Sequence, residues 1–338
     1  MRLVIRADAT AQMGTGHLMR CLALGQAWKD RGGEAVFVSY EESKNLLEKI
    51  KREFRVYRLS NAETETAMSK ILTEENPDWV ALDGYHFDGE CQKAVKMAGP
   101  RLLYIDDYAP LEHYYADIIL NQNFGAEELK YAAEPYTRTL AGTRYALLRR
   151  EFLKYSGFRR ETPDIAAKIL VTMGGADAEN FTLKILRALG LIDEPLQVKI
   201  IIGASNPHCE SIVKEAGKAG HAAEILKSVE NMAPLMAWAD LAVSAGGSTI
   251  WELAFMGLPA LIGIVAENQE KSVNLLREDG IYPSCGWIKD KTAKELAGMI
   301  EALIKDKDLR LEMSKRARRM VDGKGADRVI DRLAWRCF

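Results

Sequence analysis

The 338-residue sequence has little of what marks several large classes of protein. Its five cysteines show no C-x-x-C spacing, which excludes a zinc knuckle and a disulfide framework and predicts reduced thiols. No apolar run reaches about 18 residues, and no charged segment followed by an apolar stretch opens the chain, so neither a membrane span nor an export signal is predicted. We therefore expect a cytoplasmic protein.

The chain also lacks a surplus of charge and the common hydrolytic motifs. A net charge of −2 offers no basic field for a nucleic-acid backbone, so no nucleic-acid partner is expected. H-E-x-x-H, G-x-S-x-G and a Walker A sequence are all missing. This disfavours zinc hydrolysis, a serine triad and ATP hydrolysis of the P-loop kind, and we predict no metal ligands.

What the sequence does contain is a repeated alternation of short apolar strands with amphipathic helices. This pattern is typical of a doubly wound parallel sheet, and the length of the chain favours two domains. Between about residues 144 and 164 the composition becomes charged and aromatic, and a second alternation begins at Ile169. We predict an N-terminal domain over 1–150, a C-terminal domain over 151–305 and a helical extension over 306–338.

The first strand runs into a glycine loop, Gly14-Thr15-Gly16, and His17 follows where an amphipathic helix begins. Unpaired N–H groups at a helix N-terminus attract anions, and an imidazole there can transfer protons in its neutral form. Met19 replaces the third glycine of a dinucleotide fingerprint, but the acids Glu41 and Glu42 follow the second strand. These forty residues therefore leave an NAD site open as an alternative.

Three later strands end in polar residues, at Asp83, at Asp106-Asp107 and at Asn121. Neighbouring parallel strands present their carboxyl ends at one edge, so Asp83 and Tyr85 are expected to line the same cleft as His17. The alternative for Tyr85 is an ordinary tyrosine at the edge of the core. Asp106-Asp107 is interpreted as a solvent-exposed turn rather than a metal pair. His86 and His113 are interpreted as surface or packing residues.

The second half holds two further glycine loops between a strand and a helix, Gly174-Gly175 and Gly246-Gly247-Ser248-Thr249. Glycines that allow close approach, free N–H groups and hydroxyls suit a diphosphate, and Glu252 could reach a ribose hydroxyl. The alternative is structural, because Thr249 and Glu252 have the spacing of a capping box. We predict nucleotide binding in this half.

Taken together, these motifs resemble the UDP-sugar hydrolase family of pseudaminic acid biosynthesis, within the MurG-like superfamily. The resemblance extends to about residue 305 and rests on the following segments: 6–21, 82–85, 105–107, 120–123, 173–177, 244–252 and 267–269.

The resemblance implies a GT-B fold, in which two Rossmann-like domains face each other across a cleft, and metal-independent hydrolysis of a UDP-linked diacetamido-trideoxyhexose without a cofactor. His17 would be the acid/base, and Gly174, Gly175, Gly246, Gly247, Ser248, Thr249 and Glu252 would bind UDP. The sugar or cleft residues would be Arg6, Asp8, Gly14, Thr15, Gly16, Tyr85, Asn268 and Gln269.

Two other functions remain open. One is a MurG-like glycosyltransferase of surface or spore-coat polysaccharide synthesis, and the other is a nucleotide-sugar-binding module without catalysis. The expected partner is a UDP-sugar in each case, and a monomer is consistent with the sequence.

Overall fold

The computed structural model describes residues 1–8, 15–40, 44–59, 64–203, 205–218 and 220–334. The chain forms two compact units. Unit 1 comprises Met1–Arg150 and the segment from Gly323 onward, and unit 2 comprises Glu151–Asp322. Within the described ranges, no helix is long and apolar enough to cross a bilayer.

Unit 1 alternates strands and helices along the chain. Its strands are β1 (Arg2–Ala7), β2 (Glu34–Ser39), β3 (Arg55–Arg58), β4 (Trp79–Asp83), β5 (Arg101–Ile105), β6 (Ile118–Asn121) and β7 (Arg138–Ala141). Its helices are α1 (Gly16–Asp30), α2 (Lys44–Lys51), α3 (Thr64–Glu75), α4 (Gly89–Met97) and, from the end of the chain, α13 (Gly325–Ala334).

The seven strands of unit 1 form one parallel sheet in the order β3-β2-β1-β4-β5-β6-β7. The strand order reverses between β1 and β4, where the chain continues in opposite directions across the sheet. Ligands bind at such switch points, beyond the carboxyl ends of the strands. The fold therefore brings the polar residues after β1, β4 and β5 to one edge.

Helix α1 packs closely against this sheet. Leu18, Cys21 and Leu22 are fully buried. A Cβ at Gly25 would lie 3.1 Å from the ring of Phe37, so the glycine allows the helix backbone to approach β2 closely. Ala23, Leu24 and Trp28 are buried as well, so α1 is buried on most of its sides and is not the amphipathic helix expected from the sequence.

Unit 2 repeats the alternation. Its strands are β8 (Lys168–Thr172), β9 (Gln197–Ile202), β10 (Ala222–Lys227), β11 (Leu241–Ala245), β12 (Ala260–Ile264) and β13 (Ser284–Trp287). Its helices are α5 (Arg150–Leu153), which begins at the last residue of unit 1, α6 (Phe181–Leu189), α7 (Cys209–Ala216), α8 (Ala233–Trp238), α9 (Thr249–Met256), α10 (Glu267–Glu278), α11 (Ala293–Lys305) and α12 (Lys307–Met320).

The sheet of unit 2 is also entirely parallel, in the order β10-β9-β8-β11-β12-β13. Its order reverses between β8 and β11, the two strands that precede the predicted nucleotide loops. The predicted α/β class, with two doubly wound parallel sheets, is confirmed.

The segment that the sequence analysis assigned to one extension, 306–338, is divided between the units. In unit 2, the buried Arg310 of α12 donates hydrogen bonds to the carbonyls of Leu303 and Pro163. In unit 1, α13 packs on α1, and its Leu333 carbonyl accepts a hydrogen bond from Nε1 of Trp79 at 3.0 Å. Each helix is therefore part of a core.

Candidate active site

His17 lies in the first turn of α1, directly after Thr15 and Gly16. The Thr15 side chain makes no capping hydrogen bond. Gly14 lies outside the described residues, as do Glu41 and Glu42 of the NAD alternative. His17 is buried, with 6% of its surface exposed. Its position is thus set by the packing of α1.

A carboxylate fixes the orientation of the His17 ring. Nδ1 of His17 lies 2.7 Å from Oδ1 of Asp83, the last residue of β4, and Asp83 is fully buried. The same oxygen accepts a hydrogen bond from Arg20 at 2.7 Å. Because an ionised carboxylate accepts and cannot donate, Nδ1 carries a proton in this contact, and Nε2 has the free lone pair of the neutral ring.

Arg20 joins two carboxylates behind the ring. Its Nε and one terminal nitrogen each donate to Asp83 at 2.7 Å. Its terminal nitrogens also donate to the two oxygens of Asp107, at 2.7 Å and 3.1 Å. Paired bonds from a planar guanidinium impose a defined geometry, so Arg20 fixes both carboxylates relative to α1.

The charges of this cluster stabilise one another despite burial. Burial opposes ionisation of Asp83 and Asp107, but Arg20, helped by His17, outweighs it and holds the pKa of both carboxyls below the usual range. Burial likewise disfavours the Arg20 cation, yet the two carboxylates raise its pKa well above normal. Asp83 and Asp107 are therefore anions at neutral pH.

Tyr85 lies against the other side of His17. The two rings meet edge to face, with centroids 4.8 Å apart, and the Tyr85 hydroxyl donates to Asp107 at 2.7 Å. The ring of Tyr108 lies 5.5 Å from that of Tyr85, and both tyrosines are exposed on the surface of unit 1. His17 thus has a buried charged side and an aromatic side.

The expectation that Asp106-Asp107 is a solvent-exposed turn is wrong. Asp106 is 3% exposed and accepts hydrogen bonds from the amide of Ala109 and the hydroxyl of Tyr131. Burial raises the pKa of Asp106, whereas Asp107 is held as an anion by Arg20. The two neighbouring carboxyls therefore have different environments and different partners.

Arg6, near the end of β1, and Asp8, just after it, form a second buried ion pair. Asp8 also accepts from the backbone amide of Tyr40 at 2.6 Å, and Nε2 of the half-exposed His86 lies 3.0 Å from its second oxygen. His86, interpreted as a surface or packing residue, therefore contacts a predicted site residue. These bonds join the ends of β1 and β2 to the segment after β4.

In unit 2, the loop Gly246-Gly247-Ser248-Thr249 leads from β11 into α9. The amides and hydroxyls of Ser248 and Thr249, and the amide of Gly247, make no hydrogen bond to another described residue. A Cβ at Gly246 would lie 2.5 Å from Cγ2 of Val273, so only glycine lets the loop pass α10 here. Such a group of donors at a helix N-terminus can bind an anion.

The capping-box alternative for this loop does not hold. Ser248 occupies the N-cap position of α9, so Thr249 and Glu252 are one position out of register with a capping box. Both lie half-buried on the first turn.

Nearby, the Gln269 side chain accepts from the amide of Val265 at 3.1 Å and contacts Gly246, which makes Gln269 a support for the loop. Asn268 precedes it in α10.

The other predicted nucleotide loop, Gly174-Gly175, follows β8. Gly174 has a φ of +87°, and a Cβ at Gly203 would lie 2.1 Å from the Gly175 carbonyl oxygen, so this loop lies directly against the end of β9. Asp177 accepts from the amides of Phe181 and Thr182 at the start of α6. Asp177 therefore has a structural capping role, and the glycine amides remain the candidates for ligand contact.

No cluster of three or more metal-ligating side chains occurs among the residues that the structure describes. The site residues that the sequence analysis missed are Arg20 and Asp107. The signal for Arg20 was its spacing, since residues three apart share a helix face and Arg20 is three residues after His17. Asp107 required knowledge of the strand order.

Comparison with known proteins agrees with this architecture. Residues 168–329 match the family model for the glycosyltransferase family 28 C-terminal domain. MurG of Acinetobacter baumannii superposes with a TM-score of 0.67 at 16% identity, covering 98% of this chain and 99% of that one. The predicted GT-B fold is thus confirmed.

Sequence relatives extend beyond that domain. The UDP-2,4-diacetamido-2,4,6-trideoxy-beta-L-altropyranose hydrolase of Campylobacter jejuni is 26% identical over 83% of this chain and 97% of its own length. The spore coat polysaccharide biosynthesis protein SpsG of Bacillus subtilis is 23% identical, over 97% of this chain and 96% of its own length. The resemblance predicted from the motifs is confirmed.

An uncharacterized protein of Methanocaldococcus jannaschii is 27% identical over 78% of this chain. The match spans only 55% of the length of that archaeal protein. Other relatives, matched over about half of this chain, are N-acetylglucosamine transferases. Named relatives therefore include both a hydrolase and glycosyltransferases.

Proposed function

We propose that this GT-B chain, similar over most of its length to a UDP-sugar hydrolase, releases UDP from a UDP-linked sugar by hydrolysis. In the proposed reaction, His17 takes a proton from water as the water oxygen bonds to the anomeric carbon. The bond from that carbon to the β-phosphate oxygen breaks, and its electron pair leaves with UDP. The proton on His17 then returns to solvent.

The observation that carries this proposal is the contact between His17 and Asp83. Asp83 is held as an anion by Arg20 and accepts from Nδ1, so the neutral ring has its basic lone pair at Nε2. A carboxylate in this position also stabilises the imidazolium that forms when the ring accepts a proton. A histidine that serves only in packing has no need of two buried charges behind it.

The loop donors of unit 2 support the assignment of UDP. The free amides of Gly247, Ser248 and Thr249 would bind diphosphate oxygens, and Glu252 would accept from a ribose hydroxyl. Gly174-Gly175 would offer further amides. Since donors of this kind stabilise the charge that develops on the leaving diphosphate, a metal ion is not required for departure.

On the sugar side, Arg6, Asp8, Thr15, Gly16 and Tyr85 are the candidates in unit 1. Asn268 and Gln269 are those in unit 2, where Gln269 would act by supporting the Gly246 loop. The Campylobacter hydrolase leads us to propose a 2,4-diacetamido-2,4,6-trideoxyhexose as the sugar, within nonulosonic (pseudaminic) acid biosynthesis.

The test is an assay of UDP release from UDP-2,4-diacetamido-2,4,6-trideoxy-β-L-altropyranose by the purified chain in EDTA. We expect release with water alone, and a loss of about 10²-fold or more in His17→Ala. His113→Ala is the matched control, since His113 pairs with Glu134 away from Asp83, and it should keep wild-type activity. Full activity in H17A would refute the proposed role of His17.

A second candidate function is glycosyl transfer, favoured by the family 28 match over residues 168–329. It predicts that UDP release depends on an added acceptor. A binding module predicts a third result, in which calorimetry detects UDP but no UDP-sugar is turned over. The release assay with and without an acceptor, together with calorimetry, therefore separates all three.

A further inference from the structure

The buried cluster behind His17 carries more negative than positive charge. Arg20 supplies one positive charge and bonds to two carboxylates, Asp83 and Asp107. With a neutral imidazole the group has a net charge of −1, and protonation of the ring brings it to zero. Burial of an uncompensated negative charge is costly, so the cluster stabilises a positive charge that forms beside it.

Asp83 alone would balance the charge of Arg20, whereas Asp107 accepts from the terminal nitrogen that Asp83 does not reach and adds a second negative charge. Asp107 is not hydrogen-bonded to His17. The positive charge of a protonated His17 nevertheless stabilises the Asp107 anion as well as the Asp83 anion. Its contacts are with Arg20, with the Tyr85 hydroxyl and with Nδ2 of Asn123 at 2.9 Å. Asp107 therefore fixes Arg20 through an ion pair and Tyr85 through a hydrogen bond.

We propose that Asp107 is a positioning residue that makes His17 a stronger base from a distance, an inference that rests on the proposed function. It acts in two ways. Its negative charge, paired with Arg20, stabilises the positive charge that forms on the His17 ring. Its hydrogen bond to the Tyr85 hydroxyl keeps the tyrosine ring edge-on against the imidazole.

The titratable groups that face His17 from the described elements are few. Arg20 belongs to α1, Asp83 ends β4, and Tyr85 and Asp107 follow β4 and β5. The Cys21 thiol, also on α1, donates to Asp83 rather than to the ring. Burial and the neighbouring carboxylate raise the pKa of the Cys21 thiol well above its usual value, so Cys21 stays neutral. The charge near the ring is therefore set by Arg20 and the two carboxylates.

The test compares Asp107→Asn with Asp106→Asn in the full chain. The two residues are adjacent, and Asp106 bonds instead to Ala109 and Tyr131. For D107N we expect kcat to fall about ten- to a hundredfold, a part of the usual contribution of a general base, with KM changed less than twofold. We also expect the acid limb of the rate–pH profile to move to lower pH, since the protonated ring has lost a neighbouring anion. D106N should keep the wild-type kcat and acid limb, and D107E should restore the limb.

A second measurement does not depend on turnover. In protein labelled with ¹⁵N at histidine and without substrate, the His17 ring signals should titrate at lower pH in D107N than in wild type, and those in D106N should not move. If D107N does not fold, Asp107→Ser carries the same expectations. Unchanged titration in the folded variant overturns this inference even if hydrolysis is confirmed. A wild type that hydrolyses no UDP-sugar, but shows the expected shift, overturns the proposed function alone.

Discussion

Replacing Asp83 by asparagine tests the site at its most buried position. Oδ1 of Asp83 faces His17 Nδ1 and one Arg20 nitrogen, and Oδ2 faces the Arg20 Nε. An amide has one oxygen and one NH₂ group, so either orientation sets an NH₂ group against an N–H of Arg20. The NH₂ group can also donate to Nδ1, which would move the ring proton to Nε2 and remove the basic lone pair.

Two magnitudes follow from this geometry. Breaking a buried ion pair from one side costs about 3–5 kcal/mol, and because Arg20 keeps its bonds to Asp107 we expect the lower end. At about 2–4 °C per kcal/mol for a unit of this size, the Tm of D83N should fall by roughly 6–12 °C. An amide in place of the carboxylate of a histidine–carboxylate pair reduces kcat by up to about 10⁴-fold. At 25 °C the loss of activity should therefore far exceed any loss of folded protein.

The assay is UDP release at 25 °C, with calorimetric unfolding of the same preparations. Asp117→Asn is the matched control, since Asp117 also pairs with a cation, Lys96, and accepts from a backbone amide, but lies just before β6 at the opposite edge of the sheet. D117N should lose stability and keep kcat. If folded D83N hydrolyses UDP-sugar at the wild-type rate, then Asp83 does not orient the base and our reasoning about the ring is wrong.

Two further predictions concern the nucleotide loop and acid stability. Gly246→Ala should weaken UDP binding and destabilise unit 2 by about 1–3 kcal/mol, because its Cβ would overlap Val273; calorimetry checks both. The control is Gly298→Ala in α11, where a Cβ has open space, and this change should slightly stabilise unit 2. Equal UDP affinity in the two variants would contradict a role for the loop. Because Asp83 and Asp107 have lowered folded-state pKa values, their stabilisation is present above the unfolded value near 4 and is lost progressively as pH falls from there through the folded-state values. Urea unfolding from pH 6 to pH 3 should show this loss, with a shallower slope in D107N; identical slopes would refute it.

The sequence predicted most of the strands because buried parallel strands are short apolar runs bounded by polar turns. It also predicted that Asp83 and Tyr85 line the same cleft as His17, because the carboxyl ends of parallel strands share one edge. In the structure, Asp83 ends the strand that pairs with β1. It did not predict β7 or β13. Ser284–Trp287 contains a glycine with a φ of +69° and pairs irregularly with β12, so it lacks a strand-like pattern.

The error at Asp107 has a physical cause. An acid after a strand is usually solvated, and only the strand order shows that Arg20 of α1 reaches the end of β5. Periodicity predicts that α12 and α13 are amphipathic helices, but it does not specify the partner of either apolar face. The sequence therefore could not show that the two helices of 306–338 pack on different units, and it assigned them to a single extension.

The return of α13 to unit 1 has a consequence for the order in which the chain acquires structure. Unit 2 is continuous over Glu151–Asp322, so all of its residues leave the ribosome before α13 does. The core around Trp79 remains incomplete until Val329, Ile330 and Leu333 arrive. During synthesis, the part of the protein that carries His17 is therefore the last to become fully native, although it is translated first.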